Sequence, residues 1–437
     1  MRIFIGMFEI AGYFTNLTRG LRELGVECTF FSGPDDFSYY HEEARRTDDI
    51  AMRMVKLSSR KQRGLGRWNL LAKAWWFSVR QLFSLLLFAQ AASRHDVFVF
   101  TGAQGFFPFW YWDLRILKFL GKKIIFVFLG SDHRPTYLNG VYAGEEQGFG
   151  TADLVRLARE MKARLKSIER YADFTVGHHL SAHFHEKPIC ILQLFGLPHP
   201  DHGPPLSPFQ PGIRCPLRIL HAPSRPRVKG SETIRAAVRN LRGKGHDVEF
   251  IELTGRPNSE VLEELSRCAF VVDELYSDVR LAGLSTEAAV FGKPTIVGGY
   301  AVDSQFGVPG VLEQKDFPPV FYCNPGEIEE AMEKFITDDH FRSELGERAR
   351  RFVEARWTPV EVARRYLGLI EGTTPATWFF DPTRIRYLHG YGLSEARLKV
   401  VLREVLQQGG AKALQLSDKP ELERMFQDFA REGAGSA

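Results

Sequence analysis

Two short stretches in the second half of the chain set charged and hydroxyl side chains beside glycines at the ends of apolar runs. The loop PSRPRVKG (residues 223–230) follows the apolar run 217–222. The segment GLSTE (283–287) opens a helical pattern ahead of the run 295–299. Arg225 and Lys229 occupy one loop immediately before a helix, where fixed cations can meet the charge that develops on a leaving diphosphate. A helix beginning at about Ser285 offers Ser285, Thr286 and unpaired backbone amides to an anion, and Gly283 lets a ligand approach the backbone. Glu287, in the first turn of that helix, is placed to accept hydrogen bonds from ribose hydroxyls. Taken singly, Arg225, Arg227 and Lys229 read equally well as a solvated surface, and Glu287 as a complement to the helix dipole. Their joint spacing favours a nucleotide-sugar site.

Such a site needs elements that bring its parts to one edge. Residues 217–299 alternate apolar strands with helical patterns, and each strand is a continuous Val/Ile/Leu/Phe run. That pattern predicts a parallel sheet covered on both faces, with ligands held beyond the carboxyl ends of its strands. The N-terminal part repeats the plan. A strand over 3–8, Gly12, a helix over 13–24 and a strand over 26–31 form one βαβ unit. Gly12 marks either a close approach to phosphate or an ordinary tight turn. A strand over 123–129 runs into GSDHR (130–134), which places Asp132 and His133 on the ligand side. Between the halves, residues 197–216 hold seven prolines, a stiff extended connector. The expected layout is α/β, with a Rossmann-like domain over 1–200, a linker over 201–216, a second Rossmann-like domain over 217–372 and a helical extension over 373–437. In the extension Leu398, Val401, Leu402 and Val405 recur at helical spacing, as do Leu422, Phe426 and Phe429, which predicts packing faces.

The totals narrow the function. At 437 residues, with 44% hydrophobic and 25% charged residues, the chain has core material for two domains. A net charge of +4 is too small to imply nucleic acid, and no recognised binding module frames the basic residues. Five scattered cysteines without a CxxC pair read as buried free thiols in a reducing compartment, and no signal peptide or spanning run is evident, so a cytoplasmic protein is expected. His178, His179, His183 and His185 fall close together, yet no standard ligand set surrounds them. Solvent-facing or acceptor-facing histidines are expected, without a metal. Residues 50–95 carry nine basic side chains and no Asp or Glu, and a helical pattern over 68–92 adds Trp75, Trp76, Phe77 and Phe83. This is either a core helix behind a basic loop or a peripheral surface for anionic lipid at the inner face of a membrane.

HAPSRPRVKG (221–230) followed by GLSTEAAVFGKPTIVGG (283–299) resembles the retaining GT-B glycosyltransferases of the large family 4 group, and GSDHR resembles a stretch in their first domain. The resemblance covers roughly residues 1–372. It implies a GT-B fold and transfer of a hexose from a nucleoside-diphosphate sugar, with retention, to a glycan or a lipid-linked saccharide, as in polysaccharide biosynthesis. No metal or other cofactor and no enzymic nucleophile are implied. Carried over, Arg225 and Lys229 bind the diphosphate, Gly283, Leu284, Ser285, Thr286 and Glu287 hold the nucleotide, and Gly12 faces the phosphates across the cleft. Two positions depart from the pattern. Val279 stands where relatives have a sugar-binding Glu, leaving Glu274 or Asp278 as candidates. Leu129 stands where they often have His, leaving Asp132 or His133. The same fold also serves sugar-nucleotide epimerases and non-catalytic proteins that bind a glycan or a partner, and both remain open at this point.

Overall fold

The computed structural model describes residues 1–32, 49–64, 66, 69–107, 111–144, 149–199, 216–280, 282–301 and 314–432. Of the expected Pro-rich connector, residues 200–215 lie outside the described residues.

The first unit runs β1 (Arg2–Met7), α1 (Tyr13–Glu23), β2 (Glu27–Ser32), α2 (Ile50–Gly64), α3 (Leu70–Arg94), β3 (Val97–Thr101), α4 (Trp112–Phe119), β4 (Lys123–Val127), α5 (Gly140–Ala143), α6 (Thr151–Tyr171), β5 (Phe174–Gly177), β6 (Ile189–Ile191) and α7 (Leu192–Phe195). The second runs β7 (Leu217–His221), α8 (Ser231–Gly243), β8 (Val248–Glu252), α9 (Asn258–Arg267), β9 (Phe270–Val272), α10 (Gly283–Val290), β10 (Thr295–Gly298) and β11 (Phe321–Cys323). There follow α11 (Ile328–Thr337), α12 (Asp339–Arg356), α13 (Pro359–Glu371), β12 (Phe379–Phe380), α14 (Glu395–Gly409) and α15 (Pro420–Arg431).

Among the described residues the first sheet has the order β12-β6-β5-β4-β3-β1-β2 and the second β11-β10-β9-β7-β8. All pairings are parallel except that of β12 with β6. This is the GT-B plan of two Rossmann-like sheets. In each, the first strand is flanked by the second and third, so the order reverses there and opens a crevice at the carboxyl ends. In the second sheet that reversal lies between β7 and β9. The loop carrying Arg225 and Lys229 therefore meets Asp273 and Glu274, which follow β9.

Side-chain type alternates along the central strands. Ile3, Ile5, Val97, Val99, Ile125 and Val127 pack toward α1 and α13. Phe4, Phe98, Phe100, Phe126 and Phe128 face the other layer, with α3, α4 and α6. Both faces are thus buried, as parallel pairing requires. The C-terminal tail belongs to this packing. Its β12 extends the first sheet, and Leu398, Val401, Leu402, Leu414 and Phe426 join the aromatic side of the core. On the opposite face α13 lies against α1, with the Tyr13 and Tyr366 hydroxyls 2.9 Å apart.

Over residues 50–95 the structure differs from a loop before a helix. The basic stretch is itself helical, and α2 pairs with α3 as a hairpin. Its inner side is buried through Met52, Val55, Leu87 and Phe88, while Leu71 is 89% and Trp75 66% exposed. Among the described residues no helix is long and apolar enough to cross a membrane.

Candidate functional site

The loop after β7 turns back on itself, with Lys229 N donating to Arg225 O, and ends at Gly230, whose φ of +75° caps α8. Lys229 is thereby aimed at the end of β9. Its ammonium donates to Asp273 Oδ1 at 3.3 Å and, more closely, to Glu274. Burial alone would lower the Lys229 pKa; the charges of Asp273 and Glu274 outweigh it and hold the group well above its ordinary range. Arg225 in the same loop is exposed, and its guanidinium has no hydrogen-bond partner among the described residues. Behind them His221 bridges the sheet and α8, with Nδ1 at 2.7 Å from Val272 O and Nε2 at 2.7 Å from Ser231 Oγ.

α10 starts at Gly283, two residues before the sequence suggests. Ser285 does not cap it; its hydroxyl donates to Asp273 Oδ2. Thr286 Oγ1 donates to Ala282 O at 3.0 Å, and Leu284 packs half-buried beside Leu220 and Ala288. Glu287 accordingly sits in the second turn rather than the first. Its Oε1 accepts from Asn258 Nδ2 at 3.2 Å, while Oε2 is buried with no partner among the described residues. Burial raises its pKa to about 7; the Asn258 bond opposes the shift and the Asp273 charge adds to it.

Across the cleft, a Cβ built on Gly283 would lie 3.6 Å from that of Ala11, so α10 and the Gly12 loop face each other. Gly12 has φ +74° and caps α1. The amides there are taken by this chain's own Glu9. Its carboxylate accepts from Ile10 N and Thr15 N at 2.8 Å, Phe14 N at 3.2 Å and Thr15 Oγ1 at 2.6 Å. The tight turn expected as one reading of Gly12 is therefore present.

GSDHR lies beyond β4, on the same side. Asp132 accepts from the amides of Gly130 at 3.0 Å and Leu129 at 3.4 Å, so it shapes the turn. His133 is buried and starts a relay: its Nδ1 lies 3.1 Å from His185 Nε2, and His185 Nδ1 lies 2.8 Å from Glu169. Burial first, and His185 next, push the His133 pKa well below its ordinary value. Arg134 crosses between the units. Its Nε and Nη2 donate to the two oxygens of Asp278 at 2.7 Å each, and Ser181 Oγ adds a third bond at 2.7 Å. Burial opposes ionisation of Asp278, but Arg134 and Ser181 outweigh it and lower its pKa. Asp278 is thus the anchor of an inter-unit ion pair; Glu274 alone of the two sugar candidates lies beside Lys229.

The four histidines do not face solvent. All are buried, and the tail covers three of them: the His179 ring lies against Phe380, His183 Nε2 lies 2.8 Å from Tyr387 O, and Lys419 Nζ donates to His185 O at 2.7 Å. His178 pairs with Gln193 at 2.8 Å. Burial lowers the pKa of His178 and of His183 to about 4. Among the described residues no cluster of three or more His, Cys, Asp or Glu could hold a metal ion.

The structure thus gathers Lys229, Asp273, Glu274, Ser285 and Glu287 at the end of the second sheet, with Arg134 and Asp278 closing the cleft. Asp273 and Tyr391 were not singled out by the sequence, and Arg134 was placed on the ligand side only as part of GSDHR. Tyr391, from the tail, lies with its ring centre 4.8 Å from the Arg134 guanidinium and 5.9 Å from the Lys229 ammonium.

No family model matches the chain, and no curated protein matches it. Solved structures do show similarity. The glycosyltransferase SnogD from Streptomyces nogalater is 15% identical, over 84% of this chain and 99% of that one, with a TM-score of 0.41. Anabaena Alr3699/HepE in complex with UDP-glucose is 12% identical over 85% and 99%, with a TM-score of 0.42. The catalytic domain of starch synthase IV from Arabidopsis thaliana, bound to ADP and acarbose, is 13% identical over 85% and 99%, with a TM-score of 0.46.

Proposed function

We propose that the chain is a glycosyltransferase that moves a hexose from a nucleoside-diphosphate sugar to a glycan or lipid-linked saccharide, with retained configuration and no required metal. One observation carries the reading. Glu287, at the carboxyl edge of a doubly wound sheet, keeps a buried carboxylate oxygen without a partner among the described residues. A buried acceptor left open is costly unless a ligand fills it, and a pair of ribose hydroxyls would do so. Lys229 and Arg225, one loop away, meet the diphosphate. In the transfer, the bond from the anomeric carbon to the diphosphate oxygen breaks as the acceptor hydroxyl attacks on the same face. The hydroxyl proton passes to the departing diphosphate. This chain's part is to neutralise that leaving charge and hold the donor.

The exposed aromatic and aliphatic face of α3, with Arg53, Arg60 and Lys61 on α2, supports an acceptor presented at an anionic lipid surface. A non-catalytic scaffold is the second reading, because Lys229 and Arg134 are already bonded to carboxylates of this chain. Isothermal titration with UDP, ADP and GDP separates the two. The transferase reading expects binding that Lys229→Ala weakens at least tenfold, and absence of binding, or binding untouched by Lys229→Ala, overturns it.

A further inference from the structure

Tyr391 reaches the cleft from outside both sheets. The loop over 388–393 joins the short turn Pro382–Arg384 to α14, and its backbone is fixed to both units. Tyr391 N donates to Leu138 O at 2.9 Å and Gly140 N donates to Tyr391 O at 2.7 Å, both on the first unit. Gly392 N donates to Tyr276 O at 2.7 Å, on the second. The flanking glycines make this approach feasible. A Cβ on Gly390 would fall 1.8 Å from Leu138 O, and one on Gly392, at φ +71°, 2.3 Å from Val228 Cγ1. The ring so presented is half-buried and lies against the two cations Arg134 and Lys229, not in the apolar core.

Those neighbours define a chemistry. Lys229 is the cation assigned to the diphosphate, and beyond it stand the buried carboxylates Asp273 and Glu274. A hexose joined to a diphosphate has a face of C–H groups and a rim of hydroxyls. A flat aromatic ring takes the face, and fixed carboxylates accept from the rim. Val279 is buried, and its neighbour Asp278 is committed to Arg134. Beside Lys229 this leaves Glu274 to meet a sugar from the second unit, and the tail inserts an aromatic ring next to the same lysine.

We propose that Tyr391 is a specificity-determining residue, the wall of the donor-sugar subsite, against which a hexose packs while Glu274 accepts its hydroxyls. The inference rests on the glycosyl-transfer reading. Its test is equilibrium titration of the full chain with matched pairs: UDP and UDP-glucose, ADP and ADP-glucose, GDP and GDP-mannose. For the pair that wild type binds, Tyr391→Ala should weaken the sugar conjugate at least tenfold and leave the bare diphosphate within twofold. Tyr391→Phe, which keeps the ring, should restore the conjugate to within threefold and also shows that the loop still folds. Tighter binding of both ligands by Tyr391→Ala would mean that the ring occludes the cleft. Equal weakening of both would mean that it only steadies the cations. Either result, or no change, overturns the proposal. Failure of wild type to bind any pair overturns the glycosyl-transfer reading itself, and this inference with it.

Discussion

Glutamine at position 287 keeps the shape of the buried carboxylate and removes its charge. In the folded chain Glu287 has a pKa raised from 4.5 to about 7, chiefly because burial strips water from the ionised form. The folded state therefore holds this proton more tightly than the unfolded state. Below about pH 4.5 both states are protonated and the group costs nothing. As pH rises from 4.5 to 7 the unfolded chain releases the proton first and stability falls; above about 7 the penalty is complete. The difference, 7 less 4.5, at about 1.4 kcal/mol for each pKa unit, comes to about 3.5 kcal/mol. Glutamine does not ionise, so the variant should lack this pH dependence. Its amide keeps the bond from Asn258, although an amide N–H at the position of Oε2 finds no acceptor and costs about 1–3 kcal/mol at every pH. The discriminating quantity is thus the change in the variant's stability relative to wild type between pH 4 and pH 8.5. Urea unfolding should show it moving by about 3.5 kcal/mol in the variant's favour at the higher pH. Affinity for the nucleoside diphosphate that wild type binds should fall at least tenfold in the same protein. A difference in unfolding free energy that is the same at both pH values would refute the buried, uncompensated carboxylate; unchanged nucleotide affinity would refute its role with ribose.

Arg134→Met should cost about 3–5 kcal/mol in urea unfolding, because it leaves Asp278 buried and unpaired; adding Asp278→Leu should recover most of the loss, and a double variant as unstable as the single one would contradict this. Glu274→Gln weakens the hold on Lys229, so titration should show tighter binding of a bare nucleoside diphosphate, by roughly tenfold if about 1.4 kcal/mol of competition is removed. Weaker binding would mean that Glu274 serves to aim the lysine. Anionic vesicles should retain the protein at low salt and release it at high salt, and Leu71→Ser with Trp75→Ser should cut retention severalfold; retention by neutral vesicles to the same degree would remove the electrostatic part.

Most strands of both sheets were legible because each is a short apolar run, and one buried on both faces needs no polar alternation; β6 and β12, three and two residues long, carry too little of that signal and were missed. Phe98 and Phe100 alternate with Val97 and Val99 without changing that signal. Gly12 was legible as a turn, and its φ is positive. Errors arose where a side chain had a distant partner. Ser285 has the residue type of a helix cap, yet its hydroxyl serves Asp273, and the helix begins at Gly283. The histidine cluster suggested exposure because its covering residues, Tyr387 and Lys419, lie some two hundred positions away. Arg134 and Asp278 are 144 residues apart, and nothing local marks them as a pair. For Tyr391 one signal was available: glycines on both sides of an aromatic residue indicate backbone in close contact with something else.

The cleft also supplies its own counter-ions, and that has a consequence for selectivity. Arg134 and Lys229 face Asp273, Glu274 and Asp278, two cations against three carboxylates, with exposed Arg225 outside the set. Two of the three N–H donors of Lys229 are given to Asp273 and Glu274, so a diphosphate competes with those carboxylates for the ammonium and can exchange with one of them. Asp273 keeps Ser285 as a partner after such an exchange, and among the described residues Glu274 keeps the hydroxyl of Ser277 alone. A bare diphosphate would therefore leave Glu274 buried with much of its charge unmatched. A sugar conjugate brings hydroxyls to the same place, and these can take the bonds that Lys229 gives up. Diphosphate and sugar recognition are then coupled through one carboxylate. Discrimination in favour of the conjugate follows from the exchange, with Tyr391 bounding the space in which the hydroxyls must arrive.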